Sequence, residues 1–214
     1  MDEYLSGYAD KYARWRKEGD FTHSSKVIPV KESLLARQWV LPAEQVLQVL
    51  ESARSFALTD CVCRTYYKRC DGPRDVCFLT DELSDKAVER NKARRITLSE
   101  ASEVLKKADK HGLVHLTLFM PGRKIYALCS CCSCCCHDLQ LLRDHHRMDL
   151  VARSDYVAVT DPEICINCGR CSDRCVFGAR EIRDGVMEYH PDACLGCGLC
   201  VSSCPEQATV MTVR

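Results

Sequence analysis

The sequence predicts an α+β protein in two parts: a mainly helical region over 1–152 that carries one β-hairpin, and a smaller unit over 153–214. Three observations carry that prediction. Apolar and aromatic residues recur at helical spacing through the first half. Two apolar runs flank Pro121-Gly122 as the arms of a hairpin would. Residues 161–183 and 190–212 align with each other without gaps, and a repeat this short cannot bury a core alone, so its halves must pack together.

The elements follow in order. Tyr4, Tyr8, Tyr12 and Trp15 recur at spacings of four and three, so they share one face of an opening helix that Gly19-Asp20 ends. We read that stripe as docking the helix on its own core rather than gripping a cofactor. A second helix starts near Pro42, which suits a first turn, with Val46, Leu47, Val49, Leu50 and Ala53 on its apolar side. A third is expected over Leu83–Arg94. The fourth is the best marked. Thr97 and Glu100 fit a capping box, Ile96 and Ala101 a hydrophobic staple, and Gly112 closes the helix after Val104, Leu105 and Ala108. Val114–Met120 and Lys124–Leu128 read as the two strands of the hairpin. Two helices followed by a hairpin have the order of a winged helix. Asp138–Leu150 reads as one more helix.

Composition narrows the chemistry. The 30 basic and 30 acidic residues balance, so no overall field draws the molecule to nucleic acid or an anionic membrane. Cysteine is the outlier, at 18 in 214 residues. Such a number serves either disulfides or metal. The start, MDEYLSGYADK, lacks the basic and apolar regions of a secretory signal, and no apolar run is long enough to span a bilayer. A cytoplasmic protein with metal-bound thiolates, compatible with an anaerobic host, is the expectation.

The repeat carries the sharpest motif. Its first copy reads Cys165-Ile-Asn-Cys168-Gly-Arg-Cys171-Ser-Asp-Arg-Cys175, and its second Cys194-Leu-Gly-Cys197-Gly-Leu-Cys200-Val-Ser-Ser-Cys204-Pro205. Three thiolates spaced two residues apart wrap three irons of one cube, and the fourth, three residues on, serves the other cube. That assigns Cys165, Cys168, Cys171 and Cys204 to one [4Fe–4S] cluster, and Cys194, Cys197, Cys200 and Cys175 to a second. Paired zinc sites are the alternative, and they explain the interlocked spacing poorly. The segment from about 158 to 214 resembles the bacterial-type two-cluster ferredoxins, with all eight ligand positions matching. The one departure is Val176, where the family usually has proline. The resemblance implies a ferredoxin-like α+β fold and low-potential one-electron transfer.

Ten cysteines remain, all before residue 137. Cys61, Cys63, Cys70 and Cys77 form one group; Cys129, Cys131, Cys132, Cys134, Cys135 and Cys136 form another. Together they resemble the cysteine-rich N-terminal region of a little-characterised family of iron–sulfur proteins in anaerobes, in which it precedes a ferredoxin module. These thiols are candidate ligands of one or two additional iron–sulfur clusters, with zinc as the alternative, and spacing does not choose the subset. Arg64, Lys68, Arg69 and Arg74 surround the first group and either offset a cluster's charge or form a solvated loop. His137, His145 and His146 read as surface residues.

The function expected is electron transfer to or from a redox partner, a flavoprotein or other oxidoreductase subunit. No dinucleotide or P-loop fingerprint is present. The alternatives are an enzyme with an unusual N-terminal cluster and a redox-sensing winged-helix DNA binder. The latter rests on the basic stretch Arg90–Arg95, and the neutral overall charge weighs against nucleic acid.

Overall fold

The computed structural model describes residues 1–18, 25–28, 42–120 and 123–214, without the side chains of 25–28, 42–45 and 123–124. Helix α1 (Glu3–Glu18) and helix α2 (Pro42–Ser52) match the aromatic and apolar periodicities. The proposed stop at Gly19-Asp20 and the Pro121-Gly122 turn lie outside the described residues.

Beyond α2 the chain alternates. Strand β1 (Ser25–Ile28) precedes α2, and β2 (Phe56–Asp60), α3 (Val62–Tyr67), β3 (Asp75–Thr80), α4 (Asp81–Glu89) and β4 (Ala93–Arg95) follow it. Then come α5 (Leu98–Lys110), the hairpin β5 (Val114–Met120) and β6 (Arg123–Cys131), α6 (His137–Arg143) and β7 (Val151–Ala152). Seven strands form one sheet in the order β4-β2-β3-β6-β5-β1-β7.

This sheet corrects the mainly helical reading of 1–152. Strands β2 and β3 are buried along consecutive residues, from Ala57 to Leu58 and from Val76 to Phe78. A strand covered on both faces loses the alternation that marks one in a sequence. The expected helix over Leu83–Arg94 stops at Glu89, where Asn91 turns left-handed and the Lys92 amide bonds back to the Ala87 carbonyl. Residues 93–95 then pair with β2. The helix expected over Asp138–Leu150 ends at Arg143, and left-handed His146 returns the Arg147 amide to the Leu141 carbonyl. The winged-helix resemblance also fails. The hairpin lies inside the sheet, paired with β3 on one side and β1 on the other, so it offers no free wing.

Helix α5 has the features read from its sequence. The Thr97 hydroxyl accepts the Glu100 amide at 3.2 Å, the Glu100 carboxylate accepts the Thr97 amide at 2.8 Å, and Gly112 sits at φ 65° just beyond the end.

The last segment contains β8 (Tyr156–Thr160), α7 (Arg170–Asp173), β9 (Arg180–Arg183), β10 (Val186–Tyr189), a short 3₁₀ turn at Pro191–Ala193, α8 (Leu199–Ser203) and β11 (Thr209–Val213). Strand β8 pairs with β11 and β9 with β10, both antiparallel. The offset of the repeat carries β8 onto β10 and β9 onto β11, so the two ribbons exchange under a pseudo-twofold. Gly169 and Gly198, equivalent in the repeat, both sit at φ 78° at the start of their helices.

Candidate metal centres

Each half of the repeat builds one wall of two cavities. The first cavity, about 340 Å³ with its open mouth included, is lined by Cys165, Cys168, Cys171 and Cys204 together with Ile166, Asn167 and Met187. The second, about 310 Å³, is lined by Cys194, Cys197, Cys200 and Cys175 together with Phe177, Leu195 and Leu199. The fourth thiol of each motif thus faces the other motif's cavity, as the interlocked spacing requires. Tight backbone makes room. A Cβ on Gly196, at φ 74°, would lie 2.1 Å from the Tyr156 carbonyl oxygen.

The two cavities differ in access. Cys168 is exposed and Cys165 half-buried, whereas Cys194, Cys197 and Cys200 are all buried. Burial pushes the Cys200 thiol up to about 12 and the Cys197 thiol higher still. A cation bound beside these thiols would oppose that effect and favour their ionised form. Between the cavities lies Arg180, 3% exposed, donating to the Thr160 hydroxyl at 2.5 Å and the Ala158 carbonyl at 3.1 Å. Its charge acts on Cys171 of the first set and Cys200 of the second. Sequence reasoning missed Arg180, because its repeat equivalent is Thr209 and nothing in the motif marks it.

The second cavity backs onto the rest of the protein. Leu195, Cys197 and Leu199 belong to the same apolar core as Tyr12, Leu116, Leu141 and Leu150, and Val176 and Phe177 pack against it. That contact gives Val176, the departure from the family's proline, a packing role. Arg174 adds a polar tie, donating to the Asp109 carbonyl at 2.6 Å at the end of α5.

Residues 164–208 match the family model of the 4Fe-4S dicluster domain. The C-terminal unit is an iron–sulfur module of ferredoxin type. A comparison with curated proteins gives no match. The ferredoxin-type module makes this chain an iron–sulfur electron-transfer protein, and its α+β architecture agrees with the sequence reading. Among the described residues no helix is long and apolar enough to cross a membrane.

The ten N-terminal cysteines fall into two sets. Six act on one another's ionisation in a closed ring of neighbours: Cys61 with Cys63, Cys63 with Cys136, Cys136 with Cys131, Cys131 with Cys129, Cys129 with Cys77 and Cys77 with Cys61. The sheet explains most of it. Cys77 and Cys129 are direct cross-strand partners on β3 and β6, and Cys129 and Cys131 share one face of β6. Cys61 and Cys136 stand immediately before the first turns of α3 and α6. The other four, Cys70, Cys132, Cys134 and Cys135, lie in the loops that follow α3 and β6 and gather beside the ring.

The residues around these sets differ from the sequence reading in two places. His137 is buried, not a surface residue. Its Nδ1 lies 2.9 Å from the Cys63 sulfur and its Nε2 2.8 Å from the Tyr12 hydroxyl, while Tyr8 stacks on its ring at 3.7 Å. The aromatic stripe of α1 therefore docks on the core and, through His137, on the thiol ring. Arg64 is no solvated loop residue either. It is 1% exposed, and Nη2 donates to the Ser130 carbonyl at 2.9 Å. Its Nε and Nη1 meet no oxygen or nitrogen acceptor among the described residues.

Proposed function

We propose that the protein is a multi-centre electron carrier. Cys165, Cys168, Cys171 and Cys204 hold one [4Fe–4S] cluster, Cys194, Cys197, Cys200 and Cys175 hold a second, and the six-thiol ring holds a further iron–sulfur cluster. It passes low-potential electrons to or from a cytoplasmic oxidoreductase, of which a flavoprotein is one form. When bound, the clusters supply the one-electron chemistry that the polypeptide lacks.

The observation that carries this reading is that each cavity of the repeat is lined by the four thiols its interlocked spacing assigns to one cluster. The division of labour between 1–152 and 153–214 follows from it. The second cavity backs onto apolar residues shared with the main core, which also contains Cys131 and Cys136 of the ring. The first cavity has the more exposed cysteines, Cys165 and Cys168, with Ile166 in its lining and Ile164 next to Cys165 in the chain, exposed at 60% and 48%. Apolar side chains around an accessible site suit docking of a redox partner. The buried face then connects the module to the ring, and the open face is the outlet. Arg180 offsets the negative charge that both cysteine sets would share.

The test is a count of iron and acid-labile sulfide on anaerobically purified full-length protein. About eight of each per chain, at four per cube, is the content of the repeat alone, and a larger matched count is expected with the ring loaded. Fewer than about eight irons after full reconstitution would exclude the two-cube assignment. Protection of Ile164 and Ile166 from hydrogen exchange by an added redox partner checks the outlet.

A further inference from the structure

The four thiols beside the ring have a geometry unlike that of the repeat. The sulfurs of Cys70, Cys132, Cys134 and Cys135 all lie within 4.8 Å of one another. Cys70 to Cys132 measures 3.7 Å, Cys70 to Cys135 4.0 Å and Cys134 to Cys135 3.8 Å. Four thiolates around one ion, with metal–sulfur bonds of about 2.3 Å, form a tetrahedron whose edges are about 3.8 Å. In a cube each thiolate binds a different iron and points outward from it, so the sulfurs stand much farther apart. The molecule contains its own control. Among the described residues, no three of the eight repeat cysteines converge within 4.8 Å, and no three of the six ring cysteines do.

A second observation bears on the same site. Arg64 is buried with two guanidinium nitrogens that meet no oxygen or nitrogen acceptor among the described residues, and its charge acts on Cys132 and, on the ring side, on Cys61. A buried cation without a carboxylate is costly unless other anions face it. Metal-bound thiolates are such anions. Arg69 adds support from outside, donating to the Cys134 carbonyl at 3.2 Å and the Gln140 side chain at 3.1 Å. Those bonds fix the loop that carries three of the four thiols.

We propose that Cys70, Cys132, Cys134 and Cys135 bind a single thiophilic ion, zinc or mononuclear iron, in a closed tetrathiolate site distinct from every iron–sulfur cluster of the chain. The ion ties the 61–77 segment to the run that follows β6, and binding releases the thiol protons that remain on the four ligands. This site does not depend on the electron-carrier reading, since it is defined by convergence of thiols outside both the repeat and the ring.

The experiment uses the full-length protein, purified anaerobically, with zinc, iron and acid-labile sulfide measured together. One ion per chain in excess of the sulfide-matched iron is expected, either one zinc or one iron with the spectrum of an isolated tetrathiolate. Cys134→Ser is expected to remove that one ion while leaving the sulfide count and the paramagnetic signals of the repeat unchanged. Iron and sulfide lost in equal amounts by the variant would overturn the proposal, as would the absence of any excess ion in the wild type. Where the variant does not fold, X-ray absorption at the edge of the excess metal in the wild type decides. Four sulfurs at about 2.3 Å with no metal neighbour support the site, and a nearby second metal overturns it.

Discussion

In the ferredoxin-type repeat, thiols stand apart around two cavities, whereas beside β6 four thiols crowd within 4.8 Å of one another. The same side chain would then serve two purposes. Where backbone glycines at φ 78° start the helices, the sulfurs frame a volume that a cluster would fill. Where cysteines crowd a turn between a strand and a helix, the sulfurs converge on a point. Distance between sulfurs, rather than cysteine content, therefore separates a cluster cradle from a single-ion site.

The largest effect expected is on the cradle. Cys197→Ser removes a proposed ligand that is also part of the main core. Roughly four irons and four sulfides should leave with it, at four per cube, against a single ion lost on Cys134→Ser. Parallel iron and sulfide counts on the two variants check the contrast. Equal losses would erase it.

Backbone strain comes next. In Gly196→Ala the new Cβ would overlap the Tyr156 carbonyl at 2.1 Å in a left-handed conformation. A loss of about 3 kcal/mol is expected from overpacking and strain together, read as a drop in melting temperature of the reconstituted protein. Gly185→Ala has the same handedness at φ 79° but nothing within 4 Å, so about 1 kcal/mol is expected.

A third effect belongs to the N-terminal sheet. His115 is buried on β5, its Nδ1 2.9 Å from the Ser130 hydroxyl between Cys129 and Cys131, and burial lowers its pKa from 6.5 to about 4. A base whose folded pKa is depressed leaves the folded state unprotonated while the unfolded chain takes a proton. Stability should thus fall as pH drops from about 6.5 to about 4 and level off below, by roughly 3 kcal/mol in all. Chemical denaturation across that range checks it, and His115→Gln should flatten that part of the profile.

The smallest effect is electrostatic. Arg180→Gln removes a cation that acts on a cysteine of each cavity. Reduction adds negative charge, so both potentials should fall, by on the order of 50 mV, about 1 kcal/mol for one electron. Redox titration of the paramagnetic signals measures it. A shift confined to one cluster would show that the two cavities do not share Arg180.

Local pattern alone determined much of this protein. The repeat, the grouping of its cysteines around two cavities, the capping box at Thr97 and the hairpin strands were legible, because each depends on contacts close in the chain or on a fixed spacing. Strands β2 and β3 were not, since both faces are covered and no alternation survives. The N-terminal thiols were legible only as a list. Their partition into a ring of six and a convergent four depends on β3 pairing with β6 and on the loop after α3 reaching the run after β6, contacts separated by about 50 to 70 residues. His137 and Arg64 likewise acquired their roles from distant neighbours, Tyr12 and Ser130. The sequence by itself determined that the chain binds iron–sulfur clusters. Tertiary structure decided which thiols meet, because sheet register and burial bring together sulfurs whose chain spacing carries no such instruction.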